Sequence, residues 1–158
     1  MLTAKLLYGD LEVRASVEDR YQYVMVDEYQ DTNHTQFVIA NMIASNHRNF
    51  CVVGDPDQSI YAWRGADISN ILNFEEQYPD ATVIPLGRNF RSTGHIVKTS
   101  ATLISHNNLR KEKDLYTELD DGNRPTIEDY SDEHEEAEAI VCQVEKLKEL
   151  SLIQKFTT

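Results

Sequence analysis

The sequence predicts an α/β fold with parallel strands and flanking helices, on two observations. Short apolar, β-branched runs alternate with helical patterns along the chain. The first two of these runs end in polar clusters, VDEYQDT and GDPDQS, and the carboxyl ends of strands are where open α/β sheets meet their ligands.

Each element has its own signal. Residues before Arg20 show no clear period, although TAKLLY suits a helical turn or more. Tyr23–Val26 reads as a buried parallel strand with Asp27 and Glu28 at its end. The pattern from Asn33 to Asn46 is helical, and Thr32 or Asn33 can cap it by accepting from orphan N–H groups. Phe50–Val53 is a second buried strand, followed by a turn that Gly54, Asp55 and Pro56 force. Asp67 caps a helix carrying Ile68, Ile71, Leu72 and Phe74. ATVIPLGRNF is a third strand candidate, weakened by Pro85. Ser92 or Thr93 caps a helix with Ile96, Val97, Leu103 and Ile104 on one side, and Asn107–Lys113 is a polar loop. RPTIEDY is a fourth strand candidate. Asp132 and Glu135 then resemble a capping box ahead of the stripe Ala137, Ile140, Val141, Val144 and Leu147. The acids opening that helix suit the positive end of its dipole, so the Glu-rich run reads as a solvated helix face.

A chain of 158 residues, 41% apolar and 27% charged, makes a soluble globular piece: one ordinary domain or two incomplete ones. No apolar run approaches the ~20 residues that span a bilayer. The N-terminal apolar patch is too short for a secretory signal and is broken at Gly9 and Asp10; a cytoplasmic location follows. Cys51 and Cys142 lack zinc-site spacing and are expected to be buried, reduced thiols. The net charge of −12 opposes autonomous DNA binding, which draws most of its affinity from phosphate neutralisation. The acid is concentrated between residues 112 and 150, whereas charges balance from 50 to 111. Any nucleic-acid surface should therefore lie in the middle of the chain.

Three clusters can carry chemistry. Asp27 and Glu28 leave a strand end together, so one carboxylate can hold a hydrated Mg²⁺ while the other orients a water toward a phosphoryl group. A pair of solvated turn acids has the same spacing. GDPDQSIYAWRGAD places Gln58, Tyr61, Trp63 and Arg64 close together. Aromatics beside a guanidinium make a stacking platform for single-stranded bases; the same rings could instead anchor the loop on the core. Arg88 and Arg91 flank Phe90, where a guanidinium can grip phosphate with two hydrogen bonds or simply sit near a helix start.

Taken together, VDEYQDTN, VVGDPDQSIYAWRGADISNILNFEEQYP and LGRNFRST resemble motifs II, III and IV of the UvrD/PcrA/Rep group of superfamily 1 DNA helicases, in order and at the usual spacing. The resemblance runs from about Tyr21 to Leu150. It implies a RecA-like, P-loop NTPase type of parallel sheet, incomplete and spanning the junction of two RecA-like domains, with residues 1–83 ending the first and residues 84–158 opening the second. It further implies that Asp27 coordinates Mg²⁺ with the nucleotide and that Glu28 is the general base. Gln58 would read the γ-phosphate of ATP, and Arg91 would reach it as an arginine finger. Tyr61, Trp63 and Arg64 would face single-stranded DNA. Phe90 would stack near the adenine, where the group more often has Tyr. Gly87-Arg88-Asn89 departs from the group's usual EQN, which leaves Arg88 without an inherited role.

No G-x-x-x-x-G-K-[ST] loop occurs in the chain, so the phosphate cradle is missing and the isolated chain is expected to be inactive. The leading reading is part of an ATP-dependent helicase that moves 3′→5′ on single-stranded DNA and unwinds duplex DNA. The alternatives are a non-catalytic remnant acting as an interaction module, or a piece of a RecB/AddA-type helicase–nuclease, whose motif III usually differs from DQSIYAWRGAD.

Overall fold

A computed structural model describes residues 1–111 and 113–150. Residues 151–158, the end of the second expected domain, lie outside the described residues. The chain forms two compact units, Met1–Asp121 and one that begins at Gly122.

The first unit opens with two helices that the sequence only hinted at, α1 (Leu2–Gly9) and α2 (Leu11–Arg20). Asp10 separates them. Its carboxylate accepts from the N–H groups of Glu12 and Val13 at 3.1 and 3.0 Å, the capping bond that starts α2. Glu12 in the first turn and Arg20 in the last suit the helix dipole. The missed signal was this cap, because α2 has almost no apolar stripe for periodicity to detect.

Strand β1 (Val24–Val26) pairs in parallel with β2 (Phe50–Val52), Val24 opposite Phe50 and Val26 opposite Val52. Helix α3 (His34–Ala44) makes the crossover between them, as a parallel pair requires. A full capping box starts α3: Asn33 Oδ1 accepts from Gln36 N–H at 3.0 Å, and Gln36 Oε1 accepts from Asn33 N–H at 2.9 Å.

The sheet corrects the expectation of strands buried on both faces. Val24, Val26, Phe50 and Val52 are half-buried, while Met25 and Cys51 point the other way and are exposed. Side chains alternate across a pleated sheet, and among the described residues nothing covers the Met25–Cys51 face. The expectation of buried cysteines fails for this reason at Cys51; Cys142 is also exposed, on the last helix.

The two later strand candidates form no strand. Val83, Ile84 and Leu86 are exposed, and Pro85 has no N–H to offer a ladder. Pairing in that stretch is limited to one parallel bridge, Arg88 to Tyr116, with Asn89 N–H donating to the Tyr116 carbonyl at 2.7 Å. RPTIEDY, in the second unit, is irregular. A β-branched run needs a neighbouring backbone before it becomes a strand, and among the described residues neither Val83–Ile84 nor Thr126–Ile127 is paired with one.

The core of the first unit joins the buried aliphatic residues Leu7, Ala44, Ile71 and Val97 to an aromatic cluster. Tyr29 is fully buried and meets Phe50 and Phe74 edge-on at 6.1 and 5.9 Å; Phe74 stacks on Tyr78 at 4.9 Å. Phe74 and Tyr78 follow β2 on a helical stretch expected to be continuous from Asp67. It is two short helices, α4 (Ser69–Leu72) and α5 (Phe74–Gln77), divided at Asn73. Asp67 accepts from Ser69 N–H at 3.0 Å just ahead of α4, but the cap position itself is Ile68, so the expected Asp67 cap is displaced by one residue. Helix α6 (Gly94–Ile104) buries Val97 and follows Thr93.

In the second unit α7 (Glu133–Glu149) begins at Asp132, whose carboxylate accepts from His134 and Glu135 N–H at 3.0 and 2.9 Å. Glu135 closes its loop on Ser131 N–H at 2.8 Å rather than on Asp132, so the box is shifted by one residue.

Candidate functional site

The carboxyl ends of β1 and β2 are held together by backbone bonds, Val53 N–H to the Val26 carbonyl at 2.8 Å and Tyr29 N–H to the Val53 carbonyl at 3.0 Å. This brings the loop after β1, which carries Asp27 and Glu28, beside the loop after β2, which carries Asp55 and Gln58.

Asp27 and Glu28 are exposed. One Asp27 oxygen accepts from Glu28 N–H at 2.9 Å; the other has no hydrogen bond among the described residues. Glu28 takes a left-handed backbone, φ 49° and ψ 43°, which non-glycine residues adopt at a cost of about 1–2 kcal/mol. The left-handed residue ends the strand line directly after Asp27, and the two acids share this turn. Together with Gln36, Ile39 and Ala40 of α3 they border an open cleft of about 470 Å³.

Gln30, which the sequence marks only as a polar neighbour of the two acids, sits between the two loops. It is 1% exposed. Its Nε2 donates to Glu28 Oε2 at 2.8 Å and its Oε1 accepts from Asp55 N–H at 3.0 Å. Asp55 Oδ2 in turn accepts from Gln58 Nε2 at 2.7 Å. The sequence clue was faint: an amide two residues beyond an acid says nothing of burial until Tyr29 is known to turn inward.

The Asp55 loop also carries ion pairs. Burial works to raise the Asp55 carboxyl, but hydrogen bonds from Lys113 and Gln58, the Lys113 charge and the Asp57 N–H outweigh it and hold the group below its ordinary value. Lys113 pairs with Asp55, and Arg110 lies 3.5 Å from Asp57. A loop expected only to be polar thus pins the turn that bears Gln58.

Further along, the short helical turn Ala62–Arg64 presents Trp63, which is 79% exposed. It is therefore not a core anchor. Tyr61 stands 6.4 Å from it, and the Arg64 guanidinium lies 5.5 and 5.6 Å from the two ring centres. The result is an exposed π-surface with one fixed positive charge, suited to planar, anionic partners.

Phe90 and Arg91 are exposed as well. Asn89 Oδ1 accepts from the N–H groups of Arg91 and Ser92 at 3.0 and 2.7 Å, which shapes the turn into α6. The Arg88 guanidinium lies over the Phe90 ring at 4.5 Å and pairs with Glu118. This occupies one face of Phe90. No hydrogen bond or ion pair among the described residues joins Phe90 or Arg91 to Asp27, Glu28 or Gln58.

Residues 1–79 match the family model of the UvrD/REP helicase N-terminal domain, and residues 84–157 match that of the UvrD-like helicase C-terminal domain. This chain belongs to the UvrD/REP helicase family. Among its relatives is the ATP-dependent DNA helicase PcrA of Leuconostoc citreum, 44% identical over 149 residues, which are 94% of this chain and 20% of that protein. The PcrA helicase of Bacillus subtilis is 50% identical over 122 residues, 77% of this chain and 16% of its own length. DNA helicase II of Rickettsia typhi is 43% identical over 143 residues, 90% and 22% of the two chains. This UvrD/REP-family chain thus spans about a fifth of the length of these curated relatives. No described helix is long and apolar enough to cross a membrane.

Proposed function

We propose that this chain is a segment of an ATP-dependent 3′→5′ DNA helicase, at the junction of two RecA-like domains that meet near residues 83 and 84. Asp27, a single exposed carboxylate with one oxygen unengaged, suits Mg²⁺, which binds few protein carboxylates and keeps its remaining positions for water and phosphate. Mg²⁺ would supply charge neutralisation on the nucleotide phosphates. Glu28 takes the proton of the attacking water. Gln58 contacts the γ-phosphate, Arg91 reaches it from the second domain, and Phe90 stacks near the adenine by its open face. Tyr61, Trp63 and Arg64 hold single-stranded DNA. The setting is cytoplasmic.

The observation that carries the reading is the hydrogen-bonded chain Glu28–Gln30–Asp55–Gln58, which links the acids after β1 to the glutamine after β2. Phosphoryl transfer is mostly positioning and electrostatics, and such a chain holds a base and a phosphate contact in one register. A polypeptide that carries a G-x-x-x-x-G-K-[ST] loop together with these residues supports this reading; one without such a loop favours the non-catalytic reading. In the complete helicase, Glu28→Gln should keep ATP binding and lose about 10²–10⁴-fold in DNA-stimulated turnover. A loss below about tenfold would remove Glu28 as the base.

A further inference from the structure

We infer that Gln30 is a positioning residue, which sets the Glu28 carboxylate relative to the loop that carries Gln58; the inference rests on the proposed role of Glu28. Glu28 is exposed, and an exposed glutamate samples several rotamers. Here one oxygen is fixed by an amide that is itself 1% exposed. Both ends of that amide are used, Nε2 on Glu28 at 2.8 Å and Oε1 on the Asp55 N–H at 3.0 Å. Only a carboxamide of this length offers a donor to one loop and an acceptor to the other. The Gln30 carbonyl also accepts from Ser59 Oγ at 3.4 Å, so the next turn grips the same residue.

Gly54 supplies independent support. A Cβ there would lie 2.5 Å from Gln30 Oε1, 2.9 Å from Ile71 Cδ1 and 3.0 Å from Tyr29 N, the amide being the nearest of the three. The glycine follows β2 where the backbone must leave room for the amide, and its φ is not in the left-handed region, so space and not backbone freedom requires it. A displacement of Gln58 reaches Glu28 through Asp55 and Gln30 without any contact between the two end residues. A misplacement of about 1 Å in a catalytic group costs on the order of 10²-fold, so the tether acts on rate and not on nucleotide affinity.

The test uses the complete helicase. Gln30→Met keeps the volume and removes both hydrogen bonds. DNA-stimulated kcat should fall about 10–100-fold, with KM for ATP and nucleotide affinity changed by less than about threefold. The double variant Glu28→Gln/Gln30→Met should turn over no more slowly than Glu28→Gln alone, because both changes act through one carboxylate. Gly54→Ala, which displaces the amide without removing it, should give the same kcat-selective loss and carries the test if Gln30→Met folds poorly. A Gln30→Met loss that multiplies onto the Glu28→Gln loss would overturn the inference, as would an unchanged kcat in Gly54→Ala. If Glu28→Gln itself turns over normally, the proposed function fails instead, and the two failures are distinct.

Discussion

Trp63 and Tyr61 stand with ring centres 6.4 Å apart and planes inclined at 51°, and both rings have the Arg64 guanidinium beside them. Trp63 is 79% exposed, so its removal tests a surface and not a core. In the complete helicase, Trp63→Ala should weaken single-stranded DNA binding by ~1–3 kcal/mol, the range for one lost base–aromatic stack. The loss should be similar across base sequences and leave the salt slope unchanged, whereas Arg64→Ala should flatten that slope by roughly one phosphate contact. Thermal melting alongside DNA titration checks this. A fall in melting temperature with unchanged binding per folded molecule would count against the DNA role.

The left-handed turn at Glu28 gives a prediction in which stability and activity separate. Glu28→Gly adopts φ 49° freely, whereas Glu28→Ala keeps the strain and loses the carboxylate. Glu28→Gly should therefore be about 1 kcal/mol more stable than Glu28→Ala, with both lacking turnover. Chemical denaturation of the two variants measures the gap. Equal stabilities would mean that the strain does no more than offset the extra unfolded-state entropy of glycine.

Tyr29 is fully buried, and its hydroxyl has no hydrogen-bond partner among the described residues. Burial, with a smaller contribution from Tyr78, pushes its phenol up to about 12. A folded-state value raised above the ordinary 10.0 means stability that is complete below pH 10 and is lost as pH rises toward 12. Tyr29→Phe removes the unpartnered hydroxyl and keeps the edge-on contacts with Phe50 and Phe74. It should be neutral to about 1 kcal/mol stabilising at pH 7. Its melting temperature should also fall less steeply above pH 10 than that of the parent, read by melting across pH 8 to 12.

Lys113 pairs with Asp55 and lies 3.8 Å from Asp57. The Asp55 carboxyl is lowered from its ordinary 3.8, so the stability it contributes is complete above that pH and disappears as pH falls through the lower folded value. Lys113→Met should melt earlier than the parent at pH 7. The difference should shrink as pH is brought below 3.8. A gap that is constant with pH would assign the effect to packing of the lysine stem instead.

Much of the site was legible in the residues alone. The strand end at Val26, a second strand read one residue too long at Val53, the Asn33 cap of α3, the turn at Gly54 and the clusters around Asp27, Gln58 and Trp63 all follow from local signals: short apolar runs, capping side chains and turn residues at fixed offsets. These are properties of neighbours in sequence, so sequence determines them. What only the tertiary structure decided depends on neighbours in space. Val83 to Leu86 had the composition of a strand and found no ladder. Cys51 had an apolar setting and lies on an uncovered face. Tyr29 turned inward, which carried Gln30 under the two loops, while Trp63, equally aromatic, stayed out. A side chain is buried, or an amide bridges two acidic loops, only where the chain returns to meet it, and no local pattern encodes that meeting.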